Sequence, residues 1–139
     1  MNTQTKTKGF TIIEVVLVLA IAALIFLMIF IALPALQKGQ RDTGRKQDAN
    51  AVAAALNSYR SNKSGRLPNA DTFEAFKNSY VKNLSQYGLD EVKIDDKVDD
   101  KQDFVAVQLG ANCDGESSTR AAAVRVRLEG SNDTICTDA

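Results

Sequence analysis

The chain of 139 residues contains no histidine and no tryptophan, and only two prolines and two cysteines. Histidine is the side chain that most often acts as an acid or base near neutral pH, and it is the commonest protein ligand of transition metals. Its absence argues against a transition-metal centre and against the usual catalytic triads. The 17 basic and 17 acidic residues give a formal net charge of zero. No overall field therefore attracts the chain to nucleic acid or to acidic lipid.

The two cysteines, Cys113 and Cys136, are predicted to form one disulfide, and the alternative is two free thiols. A disulfide requires an oxidising compartment and would place the C-terminal part of the chain outside the cytoplasm. Neither cysteine has a histidine to act as its base, and the sequence has no glycine-rich phosphate loop. We therefore predict that the chain is not an enzyme, with no catalytic residue, no cofactor and no metal ligand assigned.

Every residue from Val15 to Leu33 is apolar, and the next charged residue after Glu14 is Lys38. As a helix, the segment Val15–Leu36 would be roughly 33 Å long, enough to cross a hydrocarbon core of about 30 Å. A secretory signal peptide has a shorter apolar region, of about 7–15 residues, followed by a small-residue cleavage site. A single-pass anchor explains the length but not Glu14, because an acid in an apolar helix costs free energy unless it reaches the interface.

Residues 8–14 read Lys-Gly-Phe-Thr-Ile-Ile-Glu and lead directly into the apolar segment. This pattern resembles the processing motif of type IV prepilins and pseudopilins. The resemblance is specific in sequence over Lys8–Leu36. For the residues after Leu36 it extends only to the general architecture. It implies that a prepilin peptidase cleaves between Gly9 and Phe10, that Phe10 becomes an N-methylated terminus, and that Glu14 guides subunit assembly.

A physical reason for the position of Glu14 follows from that cleavage. The new α-amino group at Phe10 would be a cation about one helical turn from the carboxylate of the same chain. In a filament, the amine of a neighbouring subunit would meet the same carboxylate inside an apolar helical bundle. A wrongly staggered neighbour would leave a buried charge unpaired, at a cost of several kcal/mol. One carboxylate would thus set the axial register.

The resemblance implies a structural subunit of a type IV pilus-like filament, which is a helical homopolymer of the chain itself. It implies insertion in the inner (cytoplasmic) membrane as a precursor, with the N-terminus in the cytoplasm and the head outside, and then incorporation into an extracellular pilus. Its implied partners are a prepilin peptidase, an assembly platform and an ATPase. The alternatives are a pseudopilin of a type II-like secretion system, a minor or DNA-uptake pilin, and a single-pass anchored binding domain that does not polymerise.

The distribution of cations around the apolar segment favours the opposite topology, with the head in the cytoplasm. Four cations follow the apolar segment and two precede it, which by the positive-inside rule places the head in the cytoplasm. The four are Lys38, Arg41, Arg45 and Lys46, and the two are Lys6 and Lys8. The cleavage motif, which needs a cytoplasmic leader, and the cysteine pair favour the external head.

Past Leu36 the pattern becomes that of an amphipathic helix. Apolar residues recur at the spacing of one helical face, at Ala49, Val52, Ala53, Leu56 and Tyr59. Ser64 and Gly65, ahead of Pro68, predict its end. Pro34, Gly39 and Gly44 predict a kink or a locally melted stretch between the two halves. The expected organisation is a leader (1–9), a transmembrane and filament-core helix (10–36), an amphipathic half (37–64) and a head (65–139).

The head reads as a short helix followed by short strands. Asn69–Thr72 predict a helix start, and Phe73, Phe76, Tyr80 and Leu84 predict its buried stripe. Alternating apolar residues predict strands around Val92–Ile94, Phe104–Leu109 and Val124–Leu128. We therefore predict an α+β fold, in which the long N-terminal helix packs its second half on a small antiparallel sheet.

Each of two charged clusters can be interpreted either as a ligand-binding site or as solvent-exposed surface. Seven acids lie between Asp90 and Asp103, but their spacing is not that of an EF-hand and three lysines are interleaved, so a solvated turn is favoured over a calcium site. Arg120, Arg125 and Arg127 would suit phosphates if they shared a strand face, to which Lys63 and Arg66 could add two more cations. Acids surround them and no aromatics are interleaved, so a solvated or subunit-facing strand is favoured over nucleic-acid binding.

Overall fold

A continuous α-helix, α1, runs from Ile12 to Asn62 in the computed structural model of the chain. The structure describes residues 9–82, 84, 91–95, 103–131 and 133–139, and it divides into two units, residues 1–36 and 37–139. The helix is unbroken through Pro34, Gly39 and Gly44, so the predicted melted stretch is not present in this structure. Proline is accommodated inside a helix at the expense of one backbone hydrogen bond.

The unit of residues 37–139, here called the head unit, contains the second half of α1, a second helix and a four-stranded sheet. The helix α2 spans Phe73–Tyr80. The strands are β1 (Glu91–Ile94), β2 (Phe104–Ala111), β3 (Ser117–Arg127) and β4 (Thr134–Asp138). The sheet order is β1-β2-β3-β4. The predicted α+β class, with the helix packed on a small sheet, is confirmed.

The prediction that the sheet is wholly antiparallel was wrong for one pair. Strands β2, β3 and β4 are antiparallel neighbours, but β1 pairs with β2 in parallel, with Glu91 opposite Phe104 and Ile94 opposite Val107. Both directions give the same alternation of apolar and polar residues, so the pattern alone cannot distinguish them. The connection of residues 95–103 is longer than the usual hairpin loop, so its length does not require antiparallel pairing.

The core lies between one face of the sheet and the second half of α1 together with α2. The predicted helix face is buried, with Val52 and Leu56 fully inaccessible. Phe73 and Phe76 of α2 close the core, and the Tyr59 ring packs edge-on to Phe76 with centroids 5.6 Å apart. The sheet contributes mainly valines at alternate positions, namely Val92, Val105, Val107, Val124 and Val126. Tyr80 and Leu84 pack at its margin, so the predicted stripe is confirmed although α2 ends at Tyr80.

Charged side chains at the start of the second half of α1 bind the turn between β3 and β4. The Asp42 carboxylate accepts the backbone N–H groups of Glu129 and Gly130 at 2.6 and 2.9 Å. Arg41 pairs with the Glu129 carboxylate at 2.8 Å. Arg45, only 3% exposed, donates to Glu129, to Asp103 and to the Arg127 carbonyl. Arg45 is therefore a buried cation of the helix.

Candidate functional site

The peptide bond between Gly9 and Phe10 lies just before α1, in residues without regular secondary structure. Phe10 is 89% exposed, and a Cβ placed on Gly9 would meet no atom within 4 Å. Proteases bind their substrates as extended chain, so a non-helical, uncovered bond is the form that a peptidase requires. Gly9 and Phe10 are thus exposed in this structure, and cleavage between them stays a prediction.

Glu14 caps the helix in which it lies. Its Oε2 accepts the backbone N–H of Thr11 at 3.0 Å and the Thr11 hydroxyl at 2.9 Å. The backbone N–H of Glu14 in turn donates to Thr11 Oγ1 at 3.4 Å. A threonine and a glutamate three residues apart, bonded reciprocally, form a capping box that begins a helix. The role of Thr11 was missed at the sequence level, although the Thr-x-x-Glu spacing before an apolar segment is the signal for it.

The second oxygen of the same carboxylate is open. Among the described residues, no donor reaches Glu14 Oε1, and the side chain is solvent-exposed. An ionised carboxylate has about four lone-pair sites on its two oxygens. The capping box uses the sites on one oxygen, so Glu14 can accept a further donor without releasing its own helix.

The helix that follows presents apolar side chains in every direction. Its large side chains between Ile12 and Leu36 are all about half exposed or more, with Leu24 at 67% and Phe30 at 74%. Soluble chains rarely expose a contiguous apolar patch of this extent, and larger patches mark membrane or protein contacts. The segment is long and apolar enough to cross a membrane. This agrees with a membrane-anchored precursor.

The predicted disulfide between Cys113 and Cys136 is present, with a Cα–Cα distance of 5.8 Å. Cys113 lies in the turn between β2 and β3, and Cys136 lies in β4 at the edge of the sheet. The backbone N–H of Cys113 also donates to the Asp138 carboxylate at 2.7 Å. The covalent bond and the hydrogen bond together attach the edge strand to the neighbouring turn.

The acidic cluster offers no metal site within the described part of the chain, where no group of three potential ligands meets. Asp90, Asp96, Asp99 and Asp100 lie outside the described residues, so the calcium interpretation of the cluster stays untested. Two of the described acids are already paired, Glu91 with Lys93 at 2.9 Å and Asp103 with Arg45 at 3.0 Å.

The three arginines of β3 do not act as one row. Arg125 is half-buried and its guanidinium donates to the Gln108 side chain at 2.5 Å. Arg120 is exposed, and its guanidinium lies over Gly65 in the loop that follows α1. Arg120 and Arg125 therefore do not form the phosphate-binding row, which the sequence pattern had already disfavoured.

Comparison with protein families gives one finding. Residues 4–30 match the prokaryotic N-terminal methylation motif, which is the signature of type IV prepilins. The match includes the Gly9–Phe10 bond, the capping box and most of the apolar segment. Comparisons with curated proteins and with solved structures gave no significant match. The chain carries the prepilin signature, and the motif supports a type IV pilin-like or pseudopilin protein.

Proposed function

We propose that this chain, which carries the prepilin signature, is a structural subunit of a type IV pilus-like filament. The observation that carries the proposal is the combination of that signature over residues 4–30 with an apolar helix that the chain leaves uncovered. A membrane covers such a helix before assembly, and the same helices of neighbouring subunits cover it afterwards. The protein would then be a substrate of processing enzymes with a structural role of its own.

Processing would begin at the open bond before α1. A prepilin peptidase would cleave between Gly9 and Phe10, release residues 1–9 on the cytoplasmic side and leave Phe10 for N-methylation. The head unit would lie outside the cytoplasm. The Cys113–Cys136 disulfide supports this side, because disulfides persist in oxidising compartments. An assembly platform and an ATPase would supply the site and the energy of polymerisation.

Glu14 would select the axial register of the filament. Its Oε1 is free to accept the α-amino group of a neighbouring Phe10 while Oε2 keeps the helix capped. Inside an apolar bundle, an amine that misses the carboxylate stays a buried unpaired charge, which costs several kcal/mol. The ion pair between Glu14 and the neighbouring α-amino group therefore selects one axial offset between subunits more than it adds net stability.

Mass spectrometry and N-terminal sequencing of sheared surface material test processing and export together. We expect a chain that begins at Phe10 and contains one disulfide. An intact Met1 chain confined to the membrane fraction would contradict the proposal and favour an anchored binding domain that does not polymerise. A processed chain that is scarce in sheared fibres but retained in the envelope would favour the pseudopilin alternative.

Two substitutions at Glu14 separate its charge from its cap. Glutamine accepts the same capping-box hydrogen bonds but carries no charge, whereas alanine loses both. If the charge sets the register, Glu14→Gln and Glu14→Ala both abolish surface fibres while the processed chain accumulates in the membrane. Fibres that form normally with Glu14→Gln would restrict the role of Glu14 to capping. Thr11→Val, which removes the capping hydroxyl and keeps the charge, is the matched control and should still give fibres.

A further inference from the structure

The head unit contains a groove of about 730 Å³ that lies apart from the apolar segment. One side is the loop of residues 64–70 that follows α1, and the other is formed by the ends of β1 and β2 and the start of β3. Among the residues that line it, the charged ones are Arg66 and Arg120, and none is acidic. Two cations thus share one concave surface of a chain whose net charge is zero.

The backbone at the end of α1 makes room for one of these cations. Ser64 and Gly65 both have positive φ values, 54° and 84°, and the Gly65 N–H donates to the Arg60 carbonyl at 2.8 Å. This arrangement is the Schellman ending of a helix. A Cβ built on Gly65 would lie 3.9 Å from Nε and Cζ of Arg120, so the guanidinium reaches across from β3 to the loop.

The two guanidinium groups lack counter-charges within the described residues. Other arginines of the head unit are engaged, for example Arg41 with Glu129 and Arg60 with Asn57 and the Arg120 carbonyl. No hydrogen bond or ion pair is formed by the side chain of Arg66 or Arg120 in the part of the chain that the structure describes. Guanidinium groups bind the oxygens of a carboxylate or a phosphate in pairs of parallel hydrogen bonds.

Part of the remaining wall of the groove is apolar. Leu67, Pro68, Ile94 and Leu109 line it, and Ile94 is 41% exposed although it lies in a strand. Ligand sites commonly combine such an apolar surface with a few polar groups that fix orientation. We propose that this groove binds a small molecule that carries an oxyanion, a carboxylate or a phosphate, attached to an apolar group. This binding site is independent of the filament function.

Titration of the full-length chain in micelles of an uncharged detergent tests the site. The probes are butyl phosphate, butyrate and inorganic phosphate, and binding is followed through the Nε–H NMR signals of arginine. We expect saturable shifts of Arg66 and Arg120 with at least one butyl compound. Inorganic phosphate should bind about tenfold more weakly than butyl phosphate, because it buries no methylene groups against the wall. The stronger of the two butyl compounds identifies the oxyanion.

Three variants locate the binding energy. Arg66→Gln and Arg120→Gln should each weaken binding of the preferred compound about tenfold or more. Lys63→Gln removes the same charge from the same loop but not from the groove, and it should leave binding within about twofold. Thermal unfolding of each variant checks that the fold is retained. Absence of saturation, equal binding of inorganic phosphate and butyl phosphate, or an equal loss with Lys63→Gln would each overturn the proposal.

Discussion

The two halves of α1 are parts of one continuous helix, yet they differ in how far their apolar side chains are buried. From Ile12 to Leu36 the large side chains stay exposed around the whole circumference. From residue 37 onwards the apolar residues keep to one face, and the head unit buries that face against its own sheet. The second half is therefore stabilised by its own chain, while the first half has no such cover within the described residues. A helical conformation by itself therefore does not determine whether the helix lies in water, in a membrane or against other protein; the distribution of its apolar residues does.

This difference predicts that the two halves respond oppositely to the same change. Substitutions in the head unit should lower its free energy of unfolding, because its contacts are already made. Substitutions in the first half should leave that free energy nearly unchanged and act on assembly instead. All measurements below use the full chain in uncharged detergent micelles, with head unfolding followed by the near-ultraviolet signal of its tyrosines.

The largest effect should come from the disulfide, which constrains only the head unit. In the double variant Cys113→Ser/Cys136→Ser, the loop of residues 113–136 is no longer closed in the unfolded state. The chain-entropy estimate for a loop of that length is about 3.5 kcal/mol of lost stability. Wild-type protein in reductant should match the variant. A loss below about 1 kcal/mol would show that the bond adds little to the sheet's own pairing.

A matched pair of substitutions on the one helix tests the comparison directly. Leu56 is 0% exposed and Leu24 is 67% exposed. Leu56→Ala should lower the free energy of unfolding of the head by about 3 kcal/mol, because it leaves a cavity in a packed core. Leu24→Ala should change it by less than about 0.5 kcal/mol. Similar losses in both variants would mean that the first half also contributes to the fold of the head.

The buried cation of the second half should give a smaller effect. Arg45→Met keeps the length of the side chain but removes its pairs with Asp103 and Glu129. Because both acids keep access to water, the expected loss is about 2 kcal/mol, below the 3–5 typical of wholly buried pairs. Lys46→Met, at the next and exposed position, should change stability by less than about 0.5 kcal/mol. A gain with Arg45→Met would mean that desolvation of the guanidinium outweighs its contacts.

The smallest effect should lie at the exposed edge of the sheet. The hydrogen bond from Lys93 lowers the pKa of Glu91 below its ordinary value of 4.5. The folded state therefore gains stability from ionised Glu91 above that value, and this gain is lost as the pH falls through the lowered pKa. Glu91→Gln should be slightly less stable than wild type at pH 7, and the difference should vanish at pH 3. A difference that persists at pH 3 would rule out this linkage.

Features set by local pattern were predictable from the sequence. The helical spacing of Val52 and Leu56 located the buried face of α1, and alternation around Val105 and Val124 located strands. The motif around Gly9 and Glu14 was recognisable because its residues are contiguous. Strand β4 was missed, since Thr134–Asp138 is short and contains a single strongly apolar residue, Ile135.

Features set by long-range contacts were not predictable. Arg45 reads as a surface residue because its acidic partners lie 58 and 84 positions away. The parallel direction of β1 depends on the course of the connection, which alternation does not encode. Likewise, Arg120 was grouped with Arg125 by proximity in sequence, whereas the fold brings it to Gly65 instead. Sequence pattern locates the elements, and only the folded chain says which side chains meet.

The contact between Asp42 and Gly130 has a consequence for how this protein can evolve. A Cβ added at residue 130 would lie 2.6 Å from Asp42 Oδ2, so a larger residue there would displace the carboxylate that holds the turn. Replacing Asp42 with alanine removes both the obstacle and the hydrogen bonds. The penalties of changing the two positions are then not additive, and a change at residue 130 costs less after a change at residue 42. Two residues 88 positions apart are thus energetically coupled, and substitutions at one change the effect of substitutions at the other.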